Sequence, residues 1–151
     1  MSAEGARSQQ EHTRRPRPDT GAIGRRGEAL AAREVEARGW QIMARNLRTP
    51  AGEADLVAGR SAGQGAAGAA ARELLIVEVK STIGRRELTG RVDRRKAARL
   101  WAIAEHLLHA AGRQGGANWL AASDVHTRVA LIEVRLDAAH TEVAWRWLEA
   151  W

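Results

Sequence analysis

The heptapeptide Leu74–Lys80, LLIVEVK, decides the fold. Leu74 to Val77 is apolar without a break, too short for a helix of its own, and closes on Glu78, Val79 and Lys80. A run apolar on both alternating faces predicts a strand buried on both sides, near the centre of a sheet. Before it lies Gly59–Arg72, GRSAGQGAAGAAAR, small and low in complexity, which predicts a flexible hairpin loop without chemistry. Earlier still, Glu53–Ala58 predicts a strand, Pro50–Gly52 a turn, and Gln41–Leu47 another strand. Ile23 to Arg38 has helical spacing, with Ile23, Leu30, Ala31 and Val35 near one face and Gly39 as its stop.

Downstream of the heptapeptide, Ser81–Gly90 predicts a basic loop. Val92–Ala111 predicts a helix with Ala97, Leu100, Ala104, Leu107, Leu108 and Ala111 on one side, ended by Gly112. After a loop over 113–126, Arg128–Leu136 (RVALIEVRL) predicts a strand. Thr141–Ala150 predicts a closing helix with Ala144, Leu148 and Trp151 on one side. The order α-β-β-β-α-β plus a C-terminal helix predicts an α/β domain around a mixed sheet flanked by helices. Residues 1–19 carry two of the three prolines and little apolar surface, so they predict a disordered tail before a single domain over 20–151.

Composition narrows the function. The 151 residues include no Cys, which excludes a disulfide scaffold, a thiol nucleophile and Cys-ligated zinc. No apolar run approaches the ~18 residues of a membrane span, and the N-terminus lacks the apolar core of a secretory leader. A cytoplasmic location with no membrane partner is expected. There is no phosphate loop of the nucleotide-hydrolase type. The net charge is +6, and the twenty residues from Lys80 to Arg99 account for all of it, with eight bases against Glu87 and Asp93. Arg85, Arg86, Arg91, Arg94, Arg95, Lys96 and Arg99 would contact a polyanion, most simply the phosphates of nucleic acid; a solvated basic helix face is the plainer alternative.

Residues two apart on a strand point the same way. Glu78 and Lys80 therefore share a face, as do Glu53 and Asp55. If the two strands pair as a hairpin, Asp55 comes close to Glu78 and Lys80. Clustered carboxylates at the end of an apolar strand need compensation, and a hard divalent cation supplies it. Lys80 is one of only two lysines beside 22 arginines, and a compact ammonium suits orienting a water where a guanidinium does not. Taken alone, Glu-x-Lys reads more readily as a solvated or structural ion pair than as a catalytic motif. The Gly24–Gly27 tetrapeptide has the form of a KH loop without the surrounding elements, and His106 and His109 lack a third ligand. Of the six tryptophans, Trp40 and Trp101 are core candidates. Trp145, Trp147 and Trp151 would seal the sheet edge, form a dimer contact or stack on bases.

Together, GRRGEALAAR (24–33), RGW-x-I-x-ARN-x-R (38–48), GEADLVA (52–58), LLIVEVK (74–80) and a basic helix containing Lys96 resemble the YraN family. These bacterial proteins are assigned to the PD-(D/E)xK restriction-endonuclease-like superfamily, whose core also runs α-β-β-β-α-β. The resemblance implies Asp55 and Glu78 as ligands of Mg²⁺ or Mn²⁺, with the main-chain carbonyl of Val79 as a third. It implies Glu28 as a further ligand through water, as in Holliday-junction resolvases, and Lys80 acting on the attacking water. For Glu28, a plain helix-terminal carboxylate is the alternative. The sequence departs from the family pattern at Thr82, where Arg is common, at Ala54, where a larger aliphatic is usual, and at Arg128–Ala130, which lacks an acid. The acid, acid, lysine set is intact. Two functions follow as expectations. One is a Mg²⁺-dependent nuclease on branched or non-B-form DNA, more readily than RNA, with a homodimer as in resolvases. The other is a non-catalytic nucleic-acid-binding module on the same fold.

Overall fold

The structure, a computed structural model, describes residues 19–64, 70–85, 87–88, 93–114 and 124–150. Residues 1–18 of the expected tail over 1–19, the middle of the expected loop over 65–69, and Arg86, Arg91, Val92 and Trp151 lie outside the described residues, while Asp19, the last residue of that expected tail, belongs to the start of the first helix.

Helix α1 spans Thr20–Ala37. Asp19 caps its start, its carboxylate accepting from the N–H groups of Gly21 and Ala22. Gly39 ends it at φ +80°: its N–H donates to the Glu36 carbonyl while Trp40 N–H reaches back to Val35. This double return to the last turn needs a left-handed residue, so the glycine is placed by conformation. Strand β1 (Gln41–Thr49) then pairs antiparallel with β2 (Gly52–Gln64). The Thr49 hydroxyl builds the turn between them, accepting from Ala51 N–H and donating to the Gly52 carbonyl.

β2 pairs antiparallel with β3 (Ala70–Ile83), and β3 lies third of five strands in the order β1-β2-β3-β4-β5. The expected central strand is thus central, and longer at both ends than its apolar run. Residues 59–64 and 70–72 of the expected loop belong to this hairpin, and Ser81–Ile83 of the expected basic loop continue β3. Helix α2 (Arg94–Gln114) runs past Gly112 and provides the crossover to β4 (Val125–Leu136), which pairs parallel with β3. Parallel neighbours require such a crossover.

The C-terminal segment corrects the sequence expectation. Glu142–Ala150 is a strand, β5, antiparallel to β4, and not a helix. Ala144 and Leu148 fit a helical period, but Val143, Trp145 and Trp147 alternate with Ala144, Arg146 and Leu148 and are strong strand formers. β4 settles the matter. It is buried on both faces from Val129 to Val134 and would otherwise present an apolar edge to water.

Alternation in β3 sorts two cores. Leu75 and Val77 pack with Ile23, Ala31 and Val35 of α1. Leu74 and Ile76 pack with Leu100, Ile103 and Ala104 of α2. The molecule is a helix, a mixed sheet and a helix in three layers, and no described helix is long and apolar enough to cross a membrane. Ile76 is fully buried, so Ile76→Ala should lower the unfolding free energy by about 2–5 kcal/mol in urea titrations. Met43 is 44% exposed, and Met43→Ala should change it by less than about 0.5 kcal/mol.

Candidate functional site

The site begins where two strands part. The β2–β3 ladder ends at Leu56↔Val77, while β2 stays paired with β1 as far as Gly52. In the fork, Asp55 does with its side chain what a backbone carbonyl would have done. Its Oδ2 accepts from Val79 N–H at 2.6 Å. The carboxylate is therefore held beside the peptide that follows Glu78, half-buried between the strands.

Glu78 continues the alternation of Leu74 and Ile76 toward α2. There Oε1 accepts from Lys96 Nζ and Oε2 from Arg99 Nη2, both at 2.6 Å. Its side chain is only 16% exposed, and a carboxylate so covered requires such partners. The Arg99 stem reaches Glu78 by lying across Gly52. A Cβ on that glycine would stand 3.0 Å from Arg99 Cδ, and its φ of +140° also favours glycine.

Glu28 approaches from α1. Gly27 lets the helix settle onto β3, because a Cβ there would sit 1.7 Å from Ser81 Oγ and 2.8 Å from Ser81 Cβ. The next residue, Glu28, is thereby set at the sheet, and its Oε2 accepts from Asn46 Nδ2 at 3.2 Å. Asn46 has φ +48°, a conformation that Asn tolerates better than most residues. Glu28 and Val79 also line a hollow of about 300 Å³ with Thr20, Ile23, Gly24 and Thr82. Lys80, exposed, follows Glu78 by two residues and so lies on the α2 side. Register places Glu133 of β4, only 2% exposed, opposite Lys80.

Burial pushes the Asp55 carboxyl above the ordinary aspartate range. The Val79 N–H opposes the shift, and Glu28, Glu78 and Glu53 add to it. A cluster of acids around a half-buried aspartate, with a main-chain carbonyl at hand, is a donor set suited in kind to a hard dication. In position the set is incomplete. Among the described residues no three Asp, Glu or His groups stand together as an ion-binding cluster, and Glu78 gives both oxygens to α2. Glu53 is exposed and paired with Arg48.

Of the expected polyanion contacts, Arg85, Arg94, Arg95 and Arg99 are exposed and Lys96 is half-buried, while Arg86 and Arg91 lie outside the described residues. Asp93 caps α2 by accepting from Arg95 N–H. Sequence reasoning missed Asn46 and Glu133. The available signals were an Asn inside a strand and an acid inside the apolar run RVALIEVRL. Trp40 is buried, Trp101 packs against the α2 core, and Trp147 packs against the α1 core. Trp145 is 36% exposed, and Arg38 lies over the rings of Trp145 and Trp147.

Two outcomes follow from this geometry. Gly27→Ala should cost about 1–3 kcal/mol of stability in chemical denaturation, because the helix must lift from Ser81. For Asp55, the folded state holds its proton above the pH at which the unfolded chain releases it, so stability falls as pH rises through that window. Asp55→Asn should therefore melt a few degrees above wild type at neutral pH in EDTA, with the difference vanishing in acid below the ordinary aspartate range.

The chain is similar to known proteins over most of its length. The profile of "Uncharacterised protein family UPF0102" matches residues 27–140. A UPF0102 protein of Beutenbergia cavernae is 36% identical over 129 residues, covering 80% of this chain and 91% of that protein. One from Parvibaculum lavamentivorans is 34% identical over 137 residues, covering 88% and 91%. One from Erythrobacter litoralis is 37% identical over 92 residues, covering 61% and 71%. The matched region contains Glu28, Asp55, Glu78 and Lys80 together, and the chain belongs to UPF0102, the YraN family.

Proposed function

We propose that this protein is a metal-dependent nuclease that hydrolyses DNA phosphodiesters at branched or otherwise non-B-form sites, on a core of the restriction-endonuclease-like type. The observation that carries the proposal is the fork. Asp55 replaces a ladder partner of Val79, next to Glu78 and within the influence of Glu28. Holding a carboxylate there opposes folding through burial and like charge, which makes sense as a ligand site.

In this proposal Asp55, Glu78 and the Val79 carbonyl hold Mg²⁺ or Mn²⁺, with Glu28 acting through a water. The ion supplies Lewis-acid polarisation of the phosphate and a more acidic water. Lys80 orients that water. Arg85, Arg94 and Arg95 bind flanking phosphates, and the first turn of α2 supports this role. It carries Arg94, Arg95 and Lys96 and no acid, although cations at a helix N-terminus oppose its dipole. An anionic ligand would offset that arrangement. Phosphate contacts carry no base code, so shape or strand state would decide the substrate. A second copy of the chain is proposed to join at the β5 edge, where Trp145 and Val143 are exposed, and the cytoplasm is the proposed location. One observation favours a non-catalytic nucleic-acid-binding role instead: both Glu78 oxygens are already engaged.

Cleavage of labelled junction, flap, single-stranded and duplex DNA with Mg²⁺ or Mn²⁺ tests the proposal. Wild type should cleave at least one of these. Asp55→Ala, Glu78→Ala and Lys80→Ala should each lose roughly 10²-fold or more of the rate. Cleavage unchanged in all three would remove this site from the chemistry, and binding without cleavage would select the non-catalytic role. Separately, Arg94→Ala with Arg95→Ala should weaken DNA binding and make the salt slope shallower by about 2. An unchanged slope would remove α2 from the interface.

A further inference from the structure

Glu78 stands between two uses. Its carboxylate belongs to the proposed ligand set, yet Lys96 and Arg99 hold it at 2.6 Å each. The same two cations belong to the basic set that the sequence marks as contacts for a polyanion. Neither role is complete while the pairs persist: Glu78 cannot offer both oxygens to an ion, and Lys96 and Arg99 cannot offer their charge to a phosphate.

The pairs are built to form and also easy to break. Lys96 and Arg99 are three residues apart on α2 and so share a face. Arg99 is seated by Gly52 at the β1–β2 turn, where any larger residue would push its stem aside. Yet the Lys96 and Arg99 side chains are 40% and 46% exposed, so water can solvate either one on release. Exposure on the cation side lowers the cost of releasing Lys96 or Arg99, provided that the covered Glu78 gains another partner. A dication placed against Asp55 and Glu78 offers the buried carboxylate a stronger partner than two half-solvated cations.

We infer that Glu78, Lys96 and Arg99 form a latch that couples the two ligands. A divalent cation taking Glu78 releases Lys96 and Arg99 to bind phosphate, and phosphate taking Lys96 and Arg99 frees Glu78 for the cation. This coupling rests on the metal-site assignment proposed above. The two binding events are then cooperative, and the cooperativity is reciprocal. In the absence of nucleic acid the latch holds affinity for the cation down, which confines the assembled site to occasions when substrate is present.

Calorimetric titration of Mn²⁺ into DNA-free protein reads the latch without any activity. Lys96→Met with Arg99→Met should bind Mn²⁺ about 3–10-fold more tightly than wild type, the factor expected from two partly exposed pairs. Equal or weaker binding in the double variant overturns the latch and leaves the metal site standing. Absence of binding in both proteins overturns the metal site and the latch together. A second measurement needs wild type only. With a short DNA duplex, the slope of log affinity against log salt should steepen by about 1.8 when Ca²⁺ replaces EDTA, as two more phosphate contacts form. An unchanged slope in protein that binds the cation overturns the latch even if the double variant fails to fold.

Discussion

The hydrogen bond from Val79 N–H to Asp55 Oδ2 is the contact on which the site depends. Two strands of a sheet are normally held at a fixed spacing by their ladder. Here the ladder stops at Leu56↔Val77, and a side chain takes over one residue further on. The substitution keeps the Val79 amide satisfied while opening a gap at the end of the buried run of the central strand. It also fixes the Asp55 carboxylate beside the Glu78 peptide without any need for a long, mobile side chain. A half-buried acid in this position works against stability, and the domain carries it on two well-packed cores.

The layers on either side serve that gap through close approaches. On the α1 side, Gly27 brings the helix backbone against Ser81, which sets Glu28 at the sheet within reach of Asn46. On the α2 side, Gly52 gives Arg99 a path over the turn to Glu78. Neither glycine is explained by its own element alone. Each is explained by an atom from a distant segment that occupies the space a side chain would have filled. GRRGE thus combines an acid with the glycine that lets its surroundings close on it, whereas the glycine of GEADL serves Glu78 of the next strand.

Much of this arrangement is legible in the sequence, for local reasons. The run LLIVEVK has enough apolar length to declare a central strand, Gly39 marks the end of α1, and Glu53–Ala58 announces the neighbouring strand. The C-terminal segment was not legible because Ala144 and Leu148 satisfy a helical period while the tryptophans satisfy a strand period. What decides between them is the exposed edge of β4, a tertiary fact. The partners of Glu78 were hidden for a similar reason. Lys96 and Arg99 lie 18 and 21 residues away and meet it only once α2 crosses the sheet. Their sequence context suggested a basic surface, and nothing local tied that surface to an acid. Glu133 was passed over because an acid inside an apolar strand announces no partner of its own.

Glu78 and the basic helix are therefore parts of one electrostatic unit, in which the acid is paired with Lys96 and Arg99. We propose that Asp55 and Glu78 hold a divalent cation jointly. Diffraction from crystals grown with Mn²⁺, collected at a wavelength where manganese scatters anomalously, tests it most directly. One anomalous peak bridging the Asp55 and Glu78 carboxylates is expected, with Lys96 and Arg99 turned away from Glu78. Ordered density with no peak there, and with Glu78 still bound to Lys96 and Arg99, would contradict it.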